Sequence, residues 1–289
     1  MLYEVLKIIP QVLIGGLIFG SYTGLLAIGF ALITQSSKSI NIAYGSVAVL
    51  GAAITTYMQN FWVGTLTAAL LCGPIGLCIG FLVRRSSKLS HDSSYVYPLA
   101  ISFGFFLIIQ EIESNMMAGS TYKPEYPIGG YVDIGIIGLY PTYTILVSAL
   151  SLMLFVFIWF FLYKTKIGTI IRASFNNSEL LSTLGVDVTI PIVLIFFVST
   201  FLSSLAASLT TPIIGLDVER GLNILLWSFL LVFLGGMKNI INTFVGGILL
   251  GEAYFISATW LDPRVVEFII FTVVIGVMVI RQKRVPVEL

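Results

Sequence analysis

Residues 164–188 read KTKIGTIIRASFNNSELLSTLGVDV and form a polar interval between two long stretches that contain no charged residue. Those stretches, 134–163 and 188–216, each exceed the roughly 20 apolar residues that cross a bilayer as a helix. The interval is short and is cationic in its first half. This pattern predicts two membrane-spanning helices joined by a polar segment on one side of the membrane.

The composition of the whole chain indicates the same class. Of the 289 residues, 57% are hydrophobic and only 10% are charged, whereas soluble domains carry about 25% charged residues. The net charge of +1 excludes the strongly basic surface of a nucleic-acid-binding protein. Cys72 and Cys78 fall in one apolar segment, where we expect packed small side chains; a disulfide or metal pair is the alternative.

Long stretches with at most one charged residue predict an all-α polytopic membrane protein with eight or nine transmembrane helices in a single domain, 1–289. The stretch 40–83 is long enough for two crossings, with a break at the amide and aromatic residues 58–62. The stretch 222–236 is short for a full crossing and is predicted to be tilted, broken or re-entrant. The predicted spans are 10–33, two within 40–83, 95–112, 139–163, 189–211, 222–236, 240–260 and 265–280.

The distribution of lysine and arginine predicts the orientation. With the N-terminus outside, the inner segments hold 11 of the 15 basic residues and the outer segments hold four, namely Lys7, Lys123, Arg220 and Arg264. Cytoplasmic loops of membrane proteins are enriched in basic residues. We therefore expect the N-terminus outside, the C-terminus in the cytoplasm, and an outer loop at 113–138 that forms either a small cap or a solvated connector.

Polar groups within the spans are the candidates for a transport path. Glu252 is the one ionisable residue predicted near the middle of a span, where a charge is costly; it is either a gate residue or a hydrogen-bonded packing residue. The early spans contribute further polar or backbone-exposing residues that could meet a zwitterion, each with packing as the alternative. These candidates are Ser21, Tyr22, Asn41, Tyr44 and Gly45.

The second half of the polar interval predicts a cytosolic helix at 174–185. Ser174 or Asn176 is suited to cap its start, with Glu179 in reach of the first free amides. Gly185 is suited to end it. Its apolar stripe, which requires a partner protein or the inner ends of the chain's own spans to cover it, consists of Leu180, Leu181 and Leu184.

The source of energy is predicted to lie in another chain. The spans lack the relay of acidic residues typical of ion-driven carriers. The sequence also lacks the G-x-x-x-x-G-K-[ST] loop that would let it bind ATP. The alternatives are an ion-coupled carrier or channel that acts alone, with Glu252 as the coupling group, and a scaffold that transports nothing.

Several segments together resemble the membrane permease subunits of ABC importers for branched-chain amino acids, and specifically the first of the two paired permeases. The resemblance runs in collinear order from residue 10 to about 280. The segments that carry it are GLIFGSYTGLLAIGFALI (16–33), NIAYGSVAVLGA (41–52), ISFGFFLIIQE (101–111), GTIIRAS (168–174), LLSTLGVD (180–187) and GGMKNIINTFVGGILLGEA (235–253).

This resemblance implies a bacterial or archaeal plasma-membrane protein that forms a path for amino acids without catalysis or a cofactor of its own. Its partners would be a second permease, two cytosolic ATPase subunits that bind the ATP, and an extracytoplasmic binding protein. Relatives with this fold also handle urea, short amides and sugars, so the substrate stays open. The residues implied to contact the ATPase are Arg172, Asn176, Glu179, Leu180, Leu184 and Gly185.

Overall fold

The described part of the chain folds into ten α-helices and one short β-hairpin. The computed structural model describes residues 2–89, 96–117, 120–133, 135, 139–236 and 239–284, with side chains omitted at 2–9, 87–89, 177–179, 182 and 281–284. The elements are α1 (Leu2–Ser37), α2 (Ala43–Tyr57), α3 (Phe61–Leu89), α4 (Val96–Met117), β1 (Tyr131–Asp133), β2 (Leu139–Pro141), α5 (Thr142–Lys164), α6 (Lys166–Thr183), α7 (Thr189–Ile214), α8 (Arg220–Gly235), α9 (Ile240–Ala258) and α10 (Pro263–Arg284).

Seven of these helices are long and apolar enough to cross a membrane, which confirms the prediction of a polytopic all-α membrane protein. The break predicted at residues 58–62 is also confirmed, because α2 ends at Tyr57 and α3 begins at Phe61. Helices α2 and α8 have only 15 and 16 residues. At 1.5 Å per residue they extend about 22–24 Å, which is less than the roughly 30 Å of hydrocarbon in a bilayer.

The outer loop begins later than the sequence predicts. Residues 113–117 continue α4 as regular helix instead of starting a loop at 113. Farther along the loop, β1 and β2 pair in antiparallel register, with Tyr131 opposite Pro141. Tyr122 and Leu216 then exchange two backbone hydrogen bonds of 2.9 and 2.8 Å. The loop after α4 and the loop after α7 therefore lie at the same end of the helix bundle.

Helix α1 is central to the bundle. In its Pro10–Ser37 span, 89% of the most hydrophobic stretch is buried, against 17% for the corresponding stretch of α10. Glycines allow α9 to lie directly against it: a Cβ added at Gly20 would come within 2.5 Å of the Ile248 Cα, and one at Gly247 within 2.6 Å of the Gly24 Cα. Small residues thus permit backbone contact between two helices where lipid gives no hydrophobic driving force.

The first turns of the short helices α2 and α8 touch each other. A Cβ added to Gly45 would overlap the carbonyl oxygen of Gly221 and would lie 2.8 Å from its carbonyl carbon. A short connection precedes each of these helices and begins with a residue of positive φ close to the end of a long helix. This residue is Lys38 (φ 52°) between α1 and α2, and Gly215 (φ 95°) between α7 and α8. Two short helices therefore begin side by side within the bundle.

Candidate functional site

The predicted path residues in α1 and α2 are all enclosed by protein. Ser21 is buried; its hydroxyl donates to the Ile18 carbonyl at 2.7 Å and lies within hydrogen-bond distance, 3.2 Å, of the Ser148 hydroxyl, so it joins α1 to α5. Tyr22 is also buried, and its side chain lines a cavity described below. These two neighbouring residues therefore differ: Ser21 makes a helix-helix contact, whereas Tyr22 lines a cavity.

Tyr44 makes a contact that explains its burial. Its hydroxyl donates to the Leu26 carbonyl of α1 at 2.5 Å, and its ring lies edge-on to Phe30 with 5.5 Å between ring centres. Gly29 provides the space, because a Cβ there would overlap the Tyr44 hydroxyl. This geometry favours the packing role over the path role for Tyr44.

We expect Tyr44→Phe to lower the free energy of unfolding by about 1 kcal/mol, because one buried hydrogen bond is lost without a large change in volume. Substrate uptake at equal expression should be unchanged. Thermal unfolding in detergent and radiolabelled uptake in cells measure the two effects, with Tyr97→Phe on the exposed surface of α4 as the control. A loss of uptake with unchanged stability would contradict the packing role.

Asn41 lies just before α2, and Gly45 lies in its first turn. The Asn41 side chain is buried, and neither its amide nitrogen nor its amide oxygen has a hydrogen-bond partner among the described residues. Buried polar atoms usually have such partners. An amide side chain without a hydrogen-bond partner thus lies four residues before Gly45, which contacts Gly221. Asn41 therefore stays a candidate for the path.

Glu252 lies on α9, directly against α1. A Cβ added at Gly16 would lie 2.7 Å from both the Cα and the Oε2 of Glu252, and this Oε2 has no hydrogen-bond partner among the described residues. The absence of a side chain at Gly16 thus creates the space that the carboxylate occupies. Neither the gate role nor the packing role of Glu252 follows from this contact alone.

A cavity of about 370 Å³ lies around Arg220, which the sequence analysis placed in an outer segment. Arg220 is the first residue of α8 and its side chain is only 6% exposed, so it is buried in the bundle, which the sequence did not predict. The guanidinium donates to the Thr210 hydroxyl at 2.6 Å, to the Thr211 hydroxyl at 3.3 Å and to the Gly215 carbonyl. We call this space the Arg220 cavity; α1, α7, α8, α9 and α10 all contribute to its lining.

Glu113 is a second buried ionisable residue that the sequence analysis missed. Its side chain is 0% exposed, and neither carboxylate oxygen has a hydrogen-bond partner among the described residues. The sequence placed it at the start of the outer loop because the predicted span 95–112 ends at Ile112. With Arg220, it shows that Glu252 is not the one ionisable group inside the bundle.

The helix predicted at 174–185 exists but begins eight residues earlier, at Lys166 instead of residue 174. Thr165 caps it, because its hydroxyl accepts the Gly168 amide at 3.0 Å. The capping box at Ser174 or Asn176 is therefore wrong, and Ser174 instead donates within the helix to the Ile171 carbonyl. The side chain of Glu179 lies outside the described residues.

The end of α6 follows the prediction. Gly185 has φ of +78°, and the Val186 amide donates to the Leu181 carbonyl at 3.1 Å, as in a helix that ends on a left-handed glycine. Leu181 and Val186 pack against the core, whereas Leu180 is 58% and Leu184 72% exposed. The predicted stripe is thus divided between a partly buried member, Leu181, and two exposed members.

Two other predicted coupling residues line a cleft of about 590 Å³ beside α6. The Arg172 Nε donates to the Leu162 carbonyl at 3.0 Å, and its guanidinium lies 4.5 Å from the centre of the Tyr163 ring. Asn176 lines the same cleft, together with Lys38 after α1. The end of α1, the end of α5 and α6 therefore meet at one end of the bundle.

No group of three or more metal-ligating side chains occurs within the described ranges. Cys72 is buried and Cys78 is exposed, and both thiols are free. The prediction of packed cysteines is therefore confirmed for Cys72 and is wrong for Cys78, which lies on the outer surface of α3.

The fold and its interior define a class: a multi-pass α-helical membrane protein of the transporter type, with polar and charged side chains enclosed between its helices. A family model described as "Branched-chain amino acid transport system / permease component" matches residues 12–280. The chain belongs to this family of permease components. No solved structure matches the chain closely enough to serve as a relative.

Individual relatives agree with this assignment. The chain is 24% identical to LivH of Methanocaldococcus jannaschii over 83% of its own length and 78% of the relative. It is 23% identical to the high-affinity branched-chain amino acid transport system permease protein BraD of Pseudomonas aeruginosa, over 94% and 93% of the two chains. It is 21% identical to the LivH protein of Escherichia coli K12, over 93% and 92%.

Proposed function

We propose that this chain is one permease subunit of an ATP-driven importer for branched-chain amino acids. Its partners would be a second permease subunit, two cytosolic ATPase subunits that bind the ATP, and an extracytoplasmic binding protein. The chain itself would perform no catalysis and hold no cofactor. Family membership supports the transport role, and the relatives named for branched-chain amino acid transport support the substrate.

The observation that carries the proposal is the surface of α6. This helix is amphipathic, lies outside the candidate spans and exposes Leu180 and Leu184 at its end. Exposed apolar side chains grouped on one surface are typical of a binding site for another protein. ATP binding would close the ATPase subunits and move α6, and this movement would change the access of the path from one side of the membrane to the other.

Purification of the tagged chain from its own membrane in mild detergent tests the proposal. We expect an ATPase with a phosphate-binding loop and a second permease to co-purify, and ATP hydrolysis to rise when an amino-acid-loaded binding protein is added. A chain that purifies alone and moves solute in liposomes under an ion gradient would instead establish the ion-coupled alternative.

Glu113 is the observation that favours this alternative, because buried carboxyl groups serve as proton relays in such carriers.

The proposal includes an orientation with the N-terminus outside and α6 in the cytoplasm. Gly129 lies in the loop after α4, and Lys166 is the first residue of α6; both are exposed. In intact cells, a membrane-impermeant thiol reagent should label Gly129→Cys and leave Lys166→Cys unlabelled until the membrane is opened. Cys78→Ser removes the exposed native thiol in both variants. The reverse labelling pattern would contradict the orientation.

A further inference from the structure

The Arg220 guanidinium keeps donors available after its contacts with protein. Its Nη atoms make three hydrogen bonds, to Thr210, Thr211 and Gly215. Since a guanidinium has five N–H groups, two of them, including Nε–H, remain for a ligand. All three acceptors are uncharged oxygens. A carboxylate bound through the two remaining N–H groups would form a charge-assisted, paired contact with Arg220.

Two acidic side chains line the same cavity. The Asp217 carboxylate accepts the backbone amide of Arg220 at 2.7 Å, which fixes it at the start of α8. Glu267 reaches the cavity from α10 and is only partly exposed. The cavity thus presents both a cationic group and carboxylates, so it offers a partner for each of the two charges of a zwitterion.

Five aromatic side chains contribute to the rest of the wall, together with aliphatic and small polar ones. Phe19 stacks on Tyr254 with 5.0 Å between ring centres, and Trp227 stands perpendicular to Tyr254 at 5.7 Å. Tyr22 and Phe255 complete this part of the lining. The volume of about 370 Å³ lies at the lower end of the range for sites that take small molecules. Such a wall suits an apolar side chain of moderate size.

We propose that the Arg220 cavity binds an α-amino acid with an apolar side chain on its way through the permease. The carboxylate would bind the free N–H groups of Arg220, the ammonium would face Glu267, and the side chain would contact the aromatic wall. This inference rests on the proposed function for its substrate class. It adds Arg220 and Glu267 to Tyr22, which was the one member of this lining that the sequence had offered as a candidate for the path.

The test measures ligand protection of a thiol in the cavity. The complex is purified in nanodiscs, and both native cysteines of this chain are removed by Cys72→Ala and Cys78→Ala. Asn223→Cys then places one exposed thiol in the lining of the Arg220 cavity. At a leucine concentration about twice the dissociation constant, we expect its modification to slow about threefold. The unoccupied fraction of sites equals one divided by one plus the ratio of leucine concentration to dissociation constant, so about one third of the sites then remain free. Gly129→Cys, which lies in the outer loop, should react at the same rate with and without leucine.

Two further comparisons test the assigned contacts. Leucinamide lacks the carboxylate and 4-methylpentanoate lacks the ammonium, so each should protect at least about tenfold more weakly, as expected for loss of a charge-assisted contact. Glu267→Gln should weaken protection by leucine, whereas Glu111→Gln, on the exposed surface of α4, should not. Arg220→Lys keeps the charge but not the paired N–H groups, and should also weaken protection.

The outcomes separate this inference from the proposed function. Unchanged modification of Asn223→Cys by leucine, in a complex that still contains the ATPase and responds to the binding protein, would overturn the cavity inference alone. Equal protection by leucinamide would also overturn it, because the carboxylate would then make no contact with Arg220. If Arg220→Lys fails to fold, Glu267→Gln still decides the result. Loss of the ATPase from the unmodified complex would instead count against the proposed function.

Discussion

Substitution of Gly45 by alanine is expected to prevent the correct assembly of α2 with α8, although it adds a single methyl group. The new Cβ would overlap the carbonyl oxygen of Gly221 and lie 2.8 Å from its carbonyl carbon and 3.3 Å from its Cα. These are backbone atoms, so no side-chain rotation relieves the overlap. Overpacking of this kind costs about 1–3 kcal/mol or more, and we expect a lower unfolding temperature and a lower yield of folded protein.

The same contact provides a matched control. A Cβ added to Gly221 would lie 3.3 Å from the nearest Gly45 atom, and one added to Gly104 would meet nothing within 4 Å. Gly221→Ala should therefore have a small effect, and Gly104→Ala should be neutral or slightly stabilising, since alanine favours the helix by up to about 1 kcal/mol. Equal unfolding temperatures for Gly45→Ala and Gly104→Ala would show that α2 and α8 are not in contact there.

Substitution of Leu184 by aspartate is expected to remove the ATPase from the purified complex while the chain stays folded. Leu184 is 72% exposed and follows the last turn of α6, so a charge there costs little in the isolated chain. In an apolar contact with a partner, the loss of a central leucine costs about 2 kcal/mol or more, which corresponds to about 30-fold in affinity. Quantification of the co-purifying ATPase measures the effect.

Leu139→Asp is the matched control for this prediction. Leu139 is 68% exposed and begins β2, in the hairpin after α4, so the same substitution is made at a similarly exposed leucine outside α6. Its ATPase content should equal that of the unmodified complex. Undiminished ATPase content and ATP-dependent uptake in Leu184→Asp, together with Leu180→Asp, would show that this end of α6 does not bind the ATPase.

The long helices could be predicted from the sequence because charged residues bound them. The break between α2 and α3 followed from interfacial residue types, and the end of α6 followed from Gly185, whose left-handed conformation is the structural requirement there. The start of α6 could not be predicted in the same way. Thr165 and Ser174 are both suitable capping residues, and the choice depends on where α5 ends.

The buried charged groups were missed for a different reason. Arg220 and Glu113 lie next to the ends of uncharged stretches, where charged residues usually reach the water interface. Whether they do so depends on contacts between helices, such as those of Arg220 with Thr210 and Thr211 of α7. Thr210 and Thr211 precede Arg220 by ten and nine residues and can accept its hydrogen bonds. They predict a buried arginine only when α7 and α8 are known to pack together.

Reconstitution into liposomes tests the central claim most directly. We predict that the complex purified with its ATPase takes up leucine when ATP and a loaded binding protein are supplied on opposite sides of the membrane. The chain alone should take up none, with or without a proton or sodium gradient. Gradient-driven uptake of leucine by the chain alone, without ATP, would contradict the assignment of this protein as a permease subunit of an ATP-driven importer.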